Sequence, residues 1–305
     1  MQRLLVTGGT GFIGTALCRY LLDQGYRLTV LTRDTGQAGL LDHMAIRYVS
    51  DLREITADDT IDSIVNLAGQ SLNSGRWNAQ RKQQFIDSRV DTTNTVIQWA
   101  ARQKEIPRVL ISGSAIGWYG HRDATALTES DPPGDGFAHE LCERWERAAD
   151  AATALGMRIV FLRIGLVLER DGGPLPELLP AFRLGAGGPM GSGRQYWSWI
   201  HRNDLVRLIE FALNYPGLNG PVNATAPEPV PQREFARTLG RTLRRPSFVP
   251  LPAFVARLLL GEFAEELLLN GQNVVPEKAV YHGFEFDFPQ LDGALADILH
   301  GSRAD

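Results

Sequence analysis

Residues 7–14 read Thr7-Gly8-Gly9-Thr10-Gly11-Phe12-Ile13-Gly14, a GxxGxxG run placed directly after the apolar stretch Leu4-Leu5-Val6. Small residues at that spacing let backbone N–H groups come close to a phosphate, and a helix opening at Phe12 turns its positive end toward the same point. Gly8, Thr10, Gly11, Phe12 and Ile13 are therefore candidate contacts for the pyrophosphate of a dinucleotide. The second apolar run, Leu28 to Leu31, is followed by Thr32 and Arg33, where an NAD-binding chain ordinarily carries a carboxylate for the ribose hydroxyls. An arginine there suits a 2′-phosphate, so the expected cofactor is NADP(H). The competing arrangement is an ordinary exposed Arg33 with Asp34 turned toward the ribose. Two more segments fit the same ligand: Asp51-Leu52 beside the adenine, and Leu67-Ala68-Gly69 closing the run Asn66 to Gly69.

These residues need strand ends to hold them. Short β-rich runs near 3–7, 28–32, 46–49, 62–67, 108–112 and 158–164 alternate with amphipathic helical stretches, which predicts an α/β fold, a doubly wound parallel sheet of the Rossmann kind. The first helix is expected from Phe12 to Gln24, with Ile13, Leu17, Tyr20 and Leu21 on one face and Gly25 as its C-terminal stop. After Leu168 the alternation fails in glycine-rich loops around Gly172-Gly173-Pro174 and Gly185 to Gly193. The expected division is a cofactor domain over 1–170 with a sheet return near 199–225, where Val222-Asn223-Ala224 stands. A smaller, mostly helical substrate lobe then covers 171–305 and includes a small C-terminal domain at about 248–297.

Composition excludes several functions. With 305 residues and a net charge of -4, the chain lacks the basic density that phosphate-backbone binding needs, so no nucleic acid partner is expected. Cys18 and Cys142 read as reduced, buried thiols, and the six histidines show no metal-ligand spacing, so no metal is expected. The first residues run straight into a strand, and the most apolar late stretch, Phe254 to Leu260, is interrupted by Arg257 and is far shorter than the roughly 20 residues of a bilayer span. A cytoplasmic protein with no membrane partner is expected.

The combination of the GGTGFIG and NLAG segments, Ser112-Gly113-Ser114-Ala115, Leu141-Cys142 with Trp145-Glu146, Gly187 to Gln195, and Trp199-Ile200-His201 resembles the bacterial YfcH epimerase family. Gly271-Gln272 to Pro276 and Gly283 to Phe286 resemble that family's small C-terminal domain. The resemblance implies an atypical extended short-chain dehydrogenase/reductase. It also implies that Arg89 and Val167 face the cofactor, whereas by themselves they read as helix surface and core.

Ordinary members of that superfamily use a tyrosine as general acid/base and a lysine four residues on, which lowers its pKa and holds the nicotinamide ribose, with a serine nearby. None of the 7 tyrosines here has lysine at that spacing, and the only lysines are Lys82, Lys104 and Lys278. With Glu146 as anchor, the two positions fall on Ala138 and Cys142, in a helix expected over about Ala138 to Ala154. Ser112 remains as a cofactor-side hydroxyl and Ser114 as a substrate-facing one. Tyr119 could supply a displaced phenol, and His139, Glu140 and Glu129 are other titratable groups near the same helix start. Loss of a general acid costs about 10²- to 10⁴-fold, while positioning can contribute about 7 to 11 kcal/mol, so hydride transfer need not vanish.

In the lobe, Arg194, Trp197 and His201, with Tyr196 and Trp199 beside them, suit a ring or phosphate-bearing ligand; an aromatic hairpin packed on the lobe is the alternative. Asp204 is expected to be the N-cap of a helix over Leu205 to Leu213. Two functions stay open. One is an NADP(H)-dependent oxidoreductase or nucleotide-sugar epimerase acting on a small carbonyl or hydroxyl compound, and the other a noncatalytic NADP(H)-responsive binding protein. A homodimer through the helix at 138–154 also stays open.

Overall fold

The chain alternates strand and helix from its start: β1 (Arg3–Thr7), α1 (Phe12–Asp23), β2 (Arg27–Leu31), β3 (Ile46–Val49), β4 (Ser63–Asn66) and α2 (Ala79–Ala100). There follow β5 (Val109–Ala115), the two-residue β6 (Ala126–Leu127), α3 (Phe137–Asp150), β7 (Arg158–Ile164) and β8 (Leu166–Leu168). Then come α4 (Leu175–Arg183), β9 (Tyr196–Trp197), β10 (Trp199–His201), α5 (Arg202–Asn214), β11 (Gly220–Ala224), β12 (Val230–Pro231) and α6 (Gln232–Leu243). The last stretch holds α7 (Ala253–Leu260), α8 (Glu262–Ala264) running into a π-helical turn at Glu265–Leu269, β13 (Asn273–Val274), α9 (Glu277–Tyr281) and α10 (Leu291–His300). This is a computed structural model that describes residues 2–33, 43–56, 59–73 and 75–301, so Asp34 lies outside the described residues.

Seven strands form one sheet in the order β11-β7-β5-β4-β1-β2-β3, and every neighbouring pair is parallel. The strand order reverses between β1 and β4, the place where a doubly wound sheet opens a crevice at its carboxyl edge. The expected α/β doubly wound architecture is what the chain adopts. Burial on both faces explains the unbroken apolar runs of the inner strands. Leu4 and Val6 pack with α1 (Leu17, Leu21) and α5 (Leu205, Leu208), while Leu5, Ile64 and Leu110 pack with α2 (Val96, Ile97) and the end of α3 (Ala149).

Beyond β7 a second core gathers Leu175, Phe182, Trp197, Trp199, Phe235 and Leu295 from α4, β9, β10, α6 and α10. The two regions are stitched by the late segment 272–276. Ser198 Oγ donates to Gln272 O (2.7 Å) and accepts from Val274 N (2.8 Å). Asn223 Nδ2 donates to Val275 O (2.9 Å), and Gln272 Nε2 donates to Gly120 O (2.6 Å). The carboxyl-terminal segment is thus built into the edge of the sheet.

Two sequence expectations need correction. The helix expected over about 138–154 is α-helical only to Asp150, and a 3₁₀ turn at Ala151–Leu155 closes it before Gly156, whose φ of 78° sits in the left-handed region that favours glycine. Asp204 is not an N-cap. Strand β10 runs directly into α5, so His201 takes the cap with Nδ1 accepting from Asn203 N at 3.1 Å. Asp204 stands in the first turn, fully buried, and accepts from Asp287 N (2.8 Å), Phe288 N (2.9 Å) and Arg207 (3.1 Å).

Among the described residues no helix is long and apolar enough to cross a membrane, and no group of three or more His, Cys, Asp or Glu could hold a metal ion.

Asp204 holds the chain leading into α10 by two backbone donors. Asp204→Ala is expected to cost about 1–3 kcal/mol in urea denaturation and to make the chain after residue 285 cleavable by protease under native conditions. An unchanged midpoint with unchanged protease resistance would remove this role.

Candidate functional site

The turn between β1 and α1 has no room for a side chain at Gly8 or Gly9. A Cβ on Gly8, whose φ is +69°, would come within 2.7 Å of the Leu67 carbonyl carbon, and one on Gly14 within 2.0 Å of Gly8 O. The turn therefore lies directly on the segment after β4. That contact is locked from beneath: Thr7 Oγ1 donates to Asn66 Oδ1 (2.6 Å), Asn66 Nδ2 donates to Thr93 Oγ1 of α2 (2.8 Å), and Ala68 N donates to Thr7 Oγ1 (3.2 Å). Helix α1 starts at Gly11 with no side chain capping it and no acidic residue in its first turn. Its leading N–H groups have no intrahelical acceptors and its positive end is uncompensated, so a tight cradle and open donors together fit a pyrophosphate.

The sequence-chosen cofactor residues converge on the carboxyl edge of the sheet. Thr32 and Arg33 follow β2, Asp51 and Leu52 follow β3, Leu67-Ala68-Gly69 follow β4, and Ser112 lies in β5. Arg33 is exposed, and no carboxylate among the described residues pairs with it. Asp51 is otherwise engaged: it caps the turn Leu52–Glu54 and pairs with Arg53, whose hydrogen bonds hold its carboxyl down at about 2. Leu52 is buried in the core beneath. Val167 lies in the core under the turn, and the ring of Phe12 is covered by Gly172, where a Cβ would come within 2.2 Å of it. Arg89 projects from α2 against Gly69.

The two catalytic candidates, Ser114 and Tyr119, are brought into one buried network but neither is free. Ser114 Oγ donates to Glu146 Oε1 (2.6 Å). Arg163 of β7 grips the same carboxylate with two bonds, Nε to Oε1 and Nη2 to Oε2, each 3.0 Å. Its Nη1 donates to the Tyr119 phenol (3.0 Å), which donates in turn to Asn223 Oδ1 (2.7 Å). Glu129 continues the chain, accepting from Asn223 N (2.9 Å). Burial pushes the Tyr119 phenol up and the Glu129 carboxyl up. Tyr119 has no exposed surface, so the structure gives this phenol the geometry of an anchor.

The two positions left without tyrosine and lysine are filled compactly. Ala138 sits so close to Gly117 that a Cβ there would lie 3.0 Å from its own. Cys142 is buried, its Sγ donates to Ala115 O (3.5 Å), and burial pushes its thiol up to about 11. The start of α3 is served by a residue from the far end of the chain, because Glu266 Oε2 accepts from Ala138 N (3.2 Å). His139 is turned away, its Nδ1 3.0 Å from Trp118 O, and Glu140 pairs with Arg144 on the outer face of α3.

The lobe residues Arg194, Trp197 and His201 are not brought together as a ligand surface. Arg194 is exposed. Trp197 packs edge-on against Phe235 in the lobe core, with ring centroids 4.9 Å apart. His201 is buried under Phe288 (4.0 Å), with Nε2 3.3 Å from Asp297. These aromatic side chains pack into the lobe core rather than lining a cleft, and they do not form the alternative hairpin: β9 pairs with β12 and β10 with β8.

On sequence alone Arg163 and Glu266 carry no role, and Glu146 and Asn223 appear only as a motif anchor and a strand member, not as parts of a buried network. The available signal was Arg163 inside the apolar strand Val160 to Ile164 and Glu146 on the apolar face of α3, two charges whose burial demands a partner.

Residues 4–223 match the family model described as NAD dependent epimerase/dehydratase family, and residues 251–298 match a domain of unknown function, DUF1731. The chain is 36% identical to epimerase family protein YfhF of Bacillus subtilis over 98% of each chain. It superposes with a TM-score of 0.86 and 34% identity on a crystal structure of the human epimerase family protein SDR39U1 with NADPH, covering 97% of this chain and 99% of that one. A nucleoside-diphosphate sugar epimerase from Corynebacterium glutamicum gives a TM-score of 0.78 at 30% identity, covering 98% of this chain and 58% of that one.

Removing one partner of the Arg163–Glu146 pair strands a buried charge. Arg163→Met is expected to cost about 3–5 kcal/mol in denaturant unfolding, and adding Glu146→Leu to recover most of that loss. Additive losses in the double variant would show that the two side chains act separately.

Proposed function

We propose, from the premise that the chain belongs to the NAD dependent epimerase/dehydratase family, that it binds NADP(H) and exchanges hydride with a small carbonyl or hydroxyl compound. One observation carries the cofactor part: the glycine turn leaves no space for a Cβ on Gly8 or Gly14 and delivers an uncapped helix start to the crevice. Arg33, exposed just past β2, supports a 2′-phosphate. The NADPH in the human relative's crystal structure supports the same choice. Gly8, Thr10, Gly11, Phe12 and Ile13 hold the pyrophosphate, Thr32 and Arg33 the 2′-phosphoribose, and the backbone at 51–52 and 67–69 lines the groove on either side. Residues 1–170 with the return at 199–225 form the cofactor unit in this reading, and the protein acts in the cytoplasm.

When bound, the nicotinamide supplies or accepts the hydride. The protein contributes position rather than a tyrosine proton donor, which is worth up to about 7 to 11 kcal/mol in well-aligned reactions. Ser114 and Tyr119 serve this indirectly, by fixing α3 against β5 and β7 through Glu146 and Arg163. A nucleotide sugar is the first substrate class to try, since the related C. glutamicum protein is named for one.

The complete engagement of Ser114 and Tyr119 favours a second reading, a noncatalytic NADP(H)-responsive binding protein whose ligand shifts its conformational populations. Transfer of deuterium from C4-labelled NADPH, tested for both faces, into the small molecules of a cell extract separates the two. A labelled product that requires the protein is expected; no label despite measured NADPH binding would leave the binding-protein reading standing.

For the cofactor choice, Arg33→Ala is expected to weaken NADPH about 10- to 100-fold while leaving NADH affinity unchanged. An unchanged NADPH/NADH affinity ratio would rule out Arg33 as the 2′-phosphate contact.

A further inference from the structure

Most of the large apolar side chains left in solvent among the described residues lie on one stretch of surface. Helix α7 fully buries only Ala256, and its Phe254, Leu258 and Leu259 are 69%, 71% and 64% exposed. A helix of that composition on a globular protein ordinarily turns its leucines inward. Leu184, just after α4 and 85% exposed, and Phe248, 76% exposed, continue the same surface. The segments that carry them lie side by side. Arg245 Nε donates to Arg183 O (3.1 Å), Val249 N donates to Gly187 O (3.2 Å), and a Cβ on Gly185 would come within 3.1 Å of Pro246 Cγ. From Phe248 the chain runs through Pro252 directly into α7.

This surface also carries charge of one sign. In a chain whose net charge is -4, residues 178–203 and 235–261 contain no Asp or Glu. Arg183, Arg244 and Arg245 are exposed, and no carboxylate among the described residues pairs with them. The carboxylates just beyond α7 are already taken, Glu262 by Lys82 and Glu265 by Arg257. Arg244 is moreover the one non-glycine residue with positive φ among the described residues, at 53°. It closes α6 in the left-handed conformation that favours glycine, so a cation stands where the backbone would be easier without a side chain.

We propose that this face docks on an anionic lipid bilayer, with α7 lying in the plane of the interface, Phe254, Leu258 and Leu259 entering the acyl boundary, and Arg183, Arg244 and Arg245 against the headgroup phosphates. The proposal does not depend on the NADP(H) reading. A second copy of the chain fits this face poorly, because a two-fold contact sets the patch against itself and brings the same unpaired arginines together. A nucleic acid would satisfy the arginines and leave the leucines in water. An anionic bilayer answers both features at once, and each is needed, since neither a short apolar insertion nor a small basic cluster holds a protein to a membrane by itself. The expectation of no membrane partner rested on the missing span, and a surface contact needs none.

The test is flotation of the full chain with vesicles of phosphatidylcholine alone and of phosphatidylcholine mixed with phosphatidylglycerol. Binding is expected to the mixed vesicles only, and to be lost at high salt. The double variants Leu258→Gln with Leu259→Gln, and Arg244→Gln with Arg245→Gln, are each expected to weaken it about 10-fold or more. No binding, equal binding to both kinds of vesicle, or binding that either double variant leaves unchanged overturns the proposal. So does a chain that is dimeric in light scattering and becomes monomeric in the leucine variant, which would give the face to a second copy. If the leucine variant fails to fold, Leu258→Cys carrying an environment-sensitive dye reads the same contact, since Cys18 and Cys142 are buried. A blue shift of the dye on mixed vesicles is then expected, and its absence overturns the proposal.

Discussion

Arg163 and Glu146 meet by two parallel bonds in the interior, and most of the architecture around the crevice is fixed by that contact. Glu146 comes from α3 and Arg163 from β7, so the pair sets how the helix lies across the sheet. Ser114 ties β5 to the same carboxylate, and Tyr119 relays the guanidinium to Asn223 of β11. A buried pair of this kind gains little net stability over apolar residues of the same shape, but once present it requires every member to be satisfied. The serine and the tyrosine are spent on that requirement. Side chains that would be expected to face a substrate have become part of the frame that holds α3 still.

The crevice is held open by a second set of constraints, steric ones. Gly8 brings the first turn onto the backbone after β4, Gly14 brings the start of α1 onto Gly8, and Thr7, Asn66 and Thr93 lock that approach from within. On the other side of the same backbone, Gly69 and Gly113 admit a guanidinium and an indole at contact distance. The crevice is thus shaped on both flanks by what cannot be there. Its far rim belongs to the carboxyl-terminal region, where Glu266 serves the first turn of α3.

The sheet and the glycine turn were legible because both rest on local pattern. Apolar runs of strand length between turn residues suit a buried strand and little else, and GxxGxxG between a strand and a helix has a backbone reason for each glycine. Side-chain direction was not legible. Trp197 and His201 sit in a segment as suited to a ligand surface as to a core, and only the packing against Phe235 and Phe288 decides between them. Asp204 failed for a related reason: with strand and helix abutting, the cap fell to His201, and a carboxylate of capping type was used for a contact 83 residues away. Arg89 and Gly69 were each picked out as cofactor contacts, yet nothing in their spacing says that one is the mould of the other.

The polar seam around Tyr119 joins residues that are far apart along the chain: Tyr119 with Asn223 across 104 positions, Gln272 with Gly120 across 152, and Glu129 with Lys278 across 149. Such contacts are made only after long loops have closed, and the entropy of closing them comes before any reward. The glycine turn and its strands can form from the first third of the sequence. The seam cannot, and until residues 272–278 arrive, Ser198, Asn223 and Glu129 must keep their hydrogen bonds to water. The interior that steadies α3 therefore becomes an interior late, and a nascent chain carries its dinucleotide cradle well before the wall behind it has closed.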